Sequence, residues 1–258
     1  MTLISSNLNS TNKLQLHGFN NLTKSFACSA YIINYVDAVF LSQYQQYIEK
    51  NFSAEQLSQL LLKLCDTIGA TVLNIAKQDY QPQGSSATLL IADSKNFSAP
   101  ETLVGHLDKS HICVHTYPEY HPNNGMMTIR LDFEISTCGV ISPLNALNQL
   151  LLFCNADIVT LDYRVRGFTR NKLGEKLFQD HAIVSIQDFI NTNYHQYYEM
   201  MDANMAENNL FNTKLMRKEF CLENYLFLQS IKDIKHNQAL VCTILNKERK
   251  EIFYGRNI

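Results

Sequence analysis

Glycine is sparse in this sequence, nine residues among 258, and nowhere does it gather into a glycine-rich loop. That leaves no backbone cradle of the kind that holds phosphate-bearing cofactors. No two cysteines have the C-x-x-C spacing of zinc ribbons or dithiol redox sites. The seven cysteines (28, 65, 113, 138, 154, 221 and 242) are odd in number, and most fall inside apolar patterns. This predicts packed thiols in a reducing cytoplasm rather than a disulfide framework. Long hydrophobic runs are missing too: LLLKLC and LLLF are far too short to span a bilayer. The opening MTLISSNLNSTN is polar, lacks the apolar stretch of a secretory signal, and reads as a leader over residues 1–12. The formal net charge is only -2 and no basic cluster stands out, so nothing argues for a nucleic-acid partner.

What remains has the profile of a folded soluble globule, with 46% hydrophobic and 18% charged residues. After the leader, KLQLHGF (13–19) and FACSAYIINYV (26–36) read as strands, and a helix is expected over 38–50. A stronger helix starts at Ser53, with a Ser53/Gln56 capping box, apolar Leu57, Leu60, Leu61, Leu64 and Ile68, and a closing Gly69. ATVLNIAKQDY and SATLLIAD read as neighbouring strands joined by the QPQG turn, followed by a polar loop over 93–105. HICVHTY and MTIRLDFEIS both alternate at period two, with PEYHPNNG turning between them. Ser142 and Pro143 are placed as N-cap and first residue of a helix that turns Leu144, Leu147, Leu150, Leu151 and Cys154 inward. DIVTLDYRVRGF returns as a strand. This mixture predicts an α+β fold, a sandwich in which an antiparallel sheet is covered by helices. The core is expected over 13–170. From 171 to 258 the sequence turns polar, rich in Asn, Tyr and Lys, and is expected to form a peripheral helical extension.

Ionisable groups crowd the stretch GHLDKSHICVHTYPEYHP, residues 105–122. His111 and His115 have the H-x-x-x-H spacing that places two zinc ligands on one helix face. Here the segment is β-like, and Ile112 stands where the zinc motif needs a glutamate. Cys113 and His115 share a strand face and could form a thiol–imidazole pair, although two residues merely packed on a sheet are the commoner arrangement. Cys138 ends the strand FEISTC just before Gly139 and a helix start, where a thiol can be exposed and tuned. By face, Ser110, Ile112, Val114 and Thr116 point one way, and His111, Cys113 and His115 the other.

The block HLDKSHICVHTYPE, followed after one hairpin by STCG, resembles the proenzymes of S-adenosylmethionine decarboxylase in their longer bacterial form. The resemblance extends to LHGFNNLTKS (16–25), GATVLNIAKQDYQPQG (69–84), STCGVISPLNALN (136–148), DIVTLDYRVRGFTR (157–170) and the closing IFYGRN. It thus covers nearly all of the chain beyond the leader. The longer leader and the 93–105 loop depart from the pattern, outside the reactive blocks.

Decarboxylating an amino acid leaves an electron pair on its α-carbon, for which no side chain is an adequate sink, so a carbonyl cofactor is needed. The resemblance implies one made from the chain itself. A serine attacks the preceding carbonyl, the amide becomes an ester, and β-elimination splits the chain to leave a pyruvoyl group. Carried over, the cleaved bond is Lys109–Ser110, Ser110 becomes the pyruvoyl group, and His115 is the base that takes the Cα proton. Cys138 matches the donor that returns a proton to the substrate carbon after CO2 leaves. Glu119 aligns with an acidic residue at the ribose hydroxyls, Ser86 with a serine that assists processing, and Phe19 with an aromatic residue stacking on adenine. The substrate would be S-adenosylmethionine, bound as a Schiff base, and the product would supply aminopropyl groups for spermidine. Cleaved chains would stay associated as a homo-oligomer in the cytoplasm. Bacterial members of this length often use Mg2+; HTYPEYHP and DFE offer donors without singling any out.

Since His115 and Ser110 fall on opposite strand faces, either His115 serves a neighbouring subunit or a bulge breaks the strand between them. Two other readings stay open at this stage. One is a cytoplasmic Cys/His hydrolase using Cys138 or Cys113. The other is a non-enzymatic oligomeric α+β module.

Overall fold

Alternation of apolar and polar residues builds this chain around one sheet. The computed structural model describes residues 19–80, 83–92, 110–119, 124–234 and 237–258. The leader, most of the expected strand at 13–19, the 93–105 loop and Lys109 lie outside these residues. The first half comprises β1 (Thr23–Tyr35), α1 (Leu41–Asn51), α2 (Ala54–Ile68), β2 (Thr71–Asp79), β3 (Ser85–Ala92), β4 (Ser110–Pro118) and β5 (Met126–Cys138). Then come α3 (Leu147–Cys154), β6 (Ile158–Arg166) and a two-residue hairpin, β7 (Thr169–Arg170) with β8 (Lys176–Leu177). The chain ends with α4 (Tyr194–Tyr197), β9 (Tyr198–Asp202), β10 (Leu210–Arg217) and α5 (Gln238–Tyr254).

Eight strands form one antiparallel sheet in the order β2-β3-β4-β5-β1-β6-β10-β9. In β1 every second residue turns inward, so Phe26, Cys28 and Ala30 are buried while Ser25, Ala27 and Ser29 stay half-buried. Helix α2 shows why the inward face is covered. Ser53 Oγ accepts from the Gln56 N–H at 3.3 Å, Gly69 closes the helix at φ 75°, and Leu57, Leu61 and Leu64 between them are fully buried. They meet Leu89 of β3 and Ile112 and Val114 of β4 in the main core. Each such leucine contributes about 1.5–3 kcal/mol by leaving water. The predicted inward set of the 142–154 segment, Leu144, Leu147, Leu150, Leu151 and Cys154, is buried as expected. Ser142 differs from expectation: its backbone is extended, but its side chain makes no cap hydrogen bond, and a 3-10 turn over Pro143–Ala146 precedes α3.

The segment from 171 onward corrects the expectation of a helical appendage. It does carry the long helix α5, but β10 pairs along β6 and β9 along β10, so the core sheet runs through residue 170 without a boundary. β10 is recruited because LFNTKLMR alternates, placing Phe211, Thr213 and Leu215 inward. The two sheet faces are also unequal. Helices α1, α2 and α3 cover one; on the other, α5 covers only one end, where Val241, Leu245 and Phe253 pack with Ile33, Met126 and Ile158. The rest of that face, including Ser25, Ser29, His111, His115 and Glu134, is polar and at least partly open.

Candidate active site

Antiparallel pairing sets the first residue of β4 beside the last of β5. Ser110 is therefore next to Cys138, and Thr23, the first residue of β1, pairs with Cys138 from the other side. The Ser110 side chain is buried, 2% exposed. Its Oγ accepts a hydrogen bond from the Cys138 N–H at 3.2 Å and touches the Cys138 thiol at 3.3 Å. A hydroxyl held by a backbone donor and flanked by a thiol is an oriented nucleophile with a proton source against it.

Phe19 lies toward this end of the sheet. Asn20 forms a bridge with Thr169, Asn21 exchanges hydrogen bonds with Phe168, and the Phe19 ring stands 5.3 Å from that of Phe168 while remaining 56% exposed. An open aromatic surface of this kind suits a flat heterocycle.

The other expected residues sit elsewhere. His115 is five residues along β4, about 17 Å at strand rise, and on the opposite face from Ser110. The pairing of β4 runs without a break from Ser110 to His115 against β3 and from His111 to Pro118 against β5. No bulge brings His115 back to its own Ser110. Ser86 stands directly opposite His115 on β3, with its Oγ 2.8 Å from Tyr80 Oη. Glu119 follows the far end of β4, where its carboxylate accepts from the Thr128 N–H at 2.7 Å. The six candidates thus form two groups: Ser110, Cys138 and Phe19 at one end, and Ser86, His115 and Glu119 toward the other.

Beside them, across β5, β1, β6 and β10, the open face holds a cleft of about 510 Å³, lined among others by Ser25, His111, Glu134, Asp162, Arg164 and Asn212. Cys113 lies on this face, but burial and the Glu134 carboxylate push its thiol up to about 11, the reverse of what a nucleophilic thiol needs. Among the described residues no three His, Cys, Asp or Glu side chains converge as a metal site requires. Of the donors in HTYPEYHP and DFE, the Glu119 carboxylate accepts from the Thr128 N–H and Asp132 Oδ2 pairs with Arg130 at 2.9 Å.

One cluster escaped the sequence reading. Lys24 is fully buried and donates to Asp180 Oδ2 at 2.6 Å and to the Gly139 carbonyl at 2.8 Å. Asp180 Oδ1 is hydrogen-bonded to His181 Nδ1 at 2.7 Å. A signal existed: Lys24 falls on the inward phase of β1 with Phe26 and Cys28, and a lysine there needs a buried partner. Nothing in the sequence marks Asp180 as that partner.

The S-adenosylmethionine decarboxylase family model matches residues 40–167. The S-adenosylmethionine decarboxylase proenzyme of Enterobacter sp. (strain 638) is 50% identical, over 95% of this chain and 98% of its own. That of Pseudoalteromonas translucida (strain TAC 125) is 48% identical, over 95% and 96%. The solved adenosylmethionine decarboxylase of Aquifex aeolicus covers 63% of this chain and 98% of its own at 16% identity, with a TM-score of 0.34. At half identity over almost the full length of both chains, the relationship is settled: the chain belongs to the S-adenosylmethionine decarboxylase family.

Proposed function

We propose that the chain cleaves itself between Lys109 and Ser110, and that residue 110, converted to a pyruvoyl group, serves the decarboxylation of S-adenosylmethionine. The decarboxylase activity comes with family membership; the residue roles are the proposal. The observation that carries them is the Ser110–Cys138 contact, which sets a buried hydroxyl against a backbone donor and a thiol. A small ketone formed at residue 110 fits that position.

The Cys138 N–H holds Ser110 Oγ for attack on the Lys109 carbonyl, turning the amide into an ester. A base then removes the Cα proton of residue 110, and the Cβ–Oγ bond breaks, with the oxygen leaving on the Lys109 carboxylate. Water completes the conversion and ammonia departs. When present, a pyruvoyl carbonyl supplies the electron sink that amino-acid side chains lack. The Cys138 thiol delivers a proton to the substrate carbon from which CO2 has left. Phe19 stacks on the adenine.

His115 is the base, and it acts on Ser110 of a second copy. Support comes from the unbroken register of β4, which keeps His115 about 17 Å from its own Ser110 and on the other face. Ser86, opposite His115, assists there, and Glu119 reaches the ribose from the same second chain. The open polar face is where the two copies meet, so the working enzyme is a homo-oligomer of cleaved pairs. Its product supplies aminopropyl groups for spermidine. Among the described residues no helix is long and apolar enough to cross a membrane. None of the seven cysteines is in a disulfide, which supports a cytoplasmic setting.

Intact-mass measurement tests the reading. Cleavage splits the 29.6 kDa chain into fragments of about 12 and 17 kDa, the larger with a blocked N-terminus. A folded protein that stays at full mass after long incubation would overturn it.

A further inference from the structure

The turn that carries Cys138 is held from beneath by two inward side chains. Lys24 and Thr137 pair across β1 and β5. Lys24 Nζ donates to the Gly139 carbonyl at 2.8 Å, and Thr137 Oγ1 to the Ile141 carbonyl at 2.9 Å. Gly139 sits at φ 66°, in the left-handed region where glycine is favoured, so the chain doubles back immediately after the thiol. Lys24 is itself fixed by Asp180 at 2.6 Å, and Asp180 by His181 at 2.7 Å.

A buried ammonium is a costly way to hold one carbonyl, since a neutral donor could do the same. Its value shows when the fate of Ser110 is followed. Before cleavage, Cys138 is fastened at its own N–H by Ser110 Oγ. Conversion of Ser110 removes that oxygen, which leaves with the Lys109 carboxylate. The hydrogen bond to the Cys138 N–H is then lost, just when the thiol has to face the substrate. The hold on the Gly139 carbonyl does not depend on Ser110 and survives. It also crosses the cut, because Lys24 lies in the smaller fragment while Gly139 and Asp180 lie in the larger.

We propose that Lys24, held by Asp180, is a positioning residue for Cys138, keeping its thiol aimed at the substrate carbon once Ser110 has been consumed. This rests on the reading of Cys138 as proton donor. Aim matters because the proton has two carbons to choose between. Delivered to the substrate carbon, it gives product. Delivered to the carbon of residue 110, it gives, after addition of water, an aldehyde and an N-terminal alanine that ends the enzyme's life.

The test is the paired variant Lys24→Met/Asp180→Asn, which removes both charges and leaves neither buried alone. Self-cleavage should reach completion, because the Ser110–Cys138 hydrogen bond is intact in the proenzyme. Alanine per turnover, read by Edman degradation of the larger fragment, should rise several-fold, and KM should stay within about twofold. Alkylation of Cys138 by iodoacetamide in the cleaved enzyme without substrate, read by peptide mapping, should change rate. Lys24→Arg, which keeps a charged donor, should restore most of the partition. If the paired variant fails to fold, Asp180→Asn alone loosens Lys24 and should give a smaller rise. A folded, cleaved variant with wild-type alanine yield and wild-type alkylation overturns the role of Lys24. If Cys138→Ala itself fails to raise alanine, the donor reading fails instead.

Discussion

Ser86 and His115 face each other across β3 and β4, and the strand that carries His115 also carries Ser110 at its start, on the other side of the sheet. One strand therefore carries both the residue proposed to be consumed and the residue proposed as its base, and its unbroken register holds them apart within a chain. Two open sheet faces packed in opposite directions would set the Ser86–His115 end of each over the Ser110–Cys138 end of the other. The covering of the remaining face by α5 leaves that polar half as the surface available for such packing.

Complementation tests this directly. His115→Ala alone should leave most chains uncut, stalled at an ester that hydroxylamine can cleave. Ser110→Ala should be folded, since losing one hydroxyl alters stability by about 1 kcal/mol, and should never cut. Co-expressed with distinguishable tags, the two should yield cut His115→Ala chains, rescued by the histidine of their Ser110→Ala partners. Cutting confined to wild-type controls would place the base within the same chain as its serine, or remove His115 from the role.

Cys138→Ala separates making the pyruvoyl group from using it. The backbone N–H that holds Ser110 Oγ survives the substitution, so cleavage should proceed. Decarboxylation should fall by about 10²–10⁴-fold, the usual contribution of a positioned acid. Residual turnover should leave alanine at the new N-terminus more often than in wild type. Rate assays, thermal unfolding and N-terminal analysis belong together here. A stable variant with ordinary turnover would reduce Cys138 to packing.

Phe19 should act on binding. Phe19→Ala is expected to raise KM for S-adenosylmethionine roughly tenfold, in line with about 1–3 kcal/mol for an aromatic stacked on a base, with cleavage unaffected. Gly167→Ala should mimic it from a distance. Gly167 sits at φ 81°, and a Cβ there would collide with the Asn21 backbone carbonyl, forcing apart the Asn21–Phe168 pairing beneath Phe19. Equal KM values in steady-state kinetics for wild type and both variants would detach Phe19 from the substrate.

Local chemistry was legible where one residue's pattern decides its neighbour's place. Period-two alternation located β1, β4, β5 and β6, and the cap and apolar stripe located α2. The residues proposed as reactive stood out as motifs, and the opposite facing of Ser110 and His115, which the pairing of β4 bears out, followed from strand geometry alone. Of the C-terminal strands, β10 alternates and could have been read from LFNTKLMR, whereas β9 is an edge strand that buries only Tyr198, leaving almost no alternation to read. The Lys24–Asp180 pair was hidden for another reason. Its partners are 156 residues apart, and only the folded chain brings the loop after β8 behind the Cys138 turn.

That pair also sets an acid limit on stability. Burial by itself would raise the Asp180 carboxyl, but the His181 hydrogen bond and the Lys24 charge outweigh it and take the group down to about 2. An aspartate in the unfolded chain titrates near 3.9. With its folded value depressed, Asp180 adds stability that is fully present above the unfolded value and is lost as pH falls toward about 2. Its side chain is only 12% exposed, so solvent screening removes little of this. A shift of nearly two units corresponds to about 2.5 kcal/mol in full, of which about 2 kcal/mol is lost by pH 2.5. Urea unfolding of the uncleavable Ser110→Ala chain between pH 5 and pH 2.5 should show this loss, over and above that from other carboxylates. In a Ser110→Ala/Lys24→Met/Asp180→Asn chain the acid loss should be smaller by about 2 kcal/mol, because no carboxyl remains at position 180 to be protonated. Parallel pH profiles for the two chains would mean that the Asp180–Lys24 contact does not depress the carboxyl in solution.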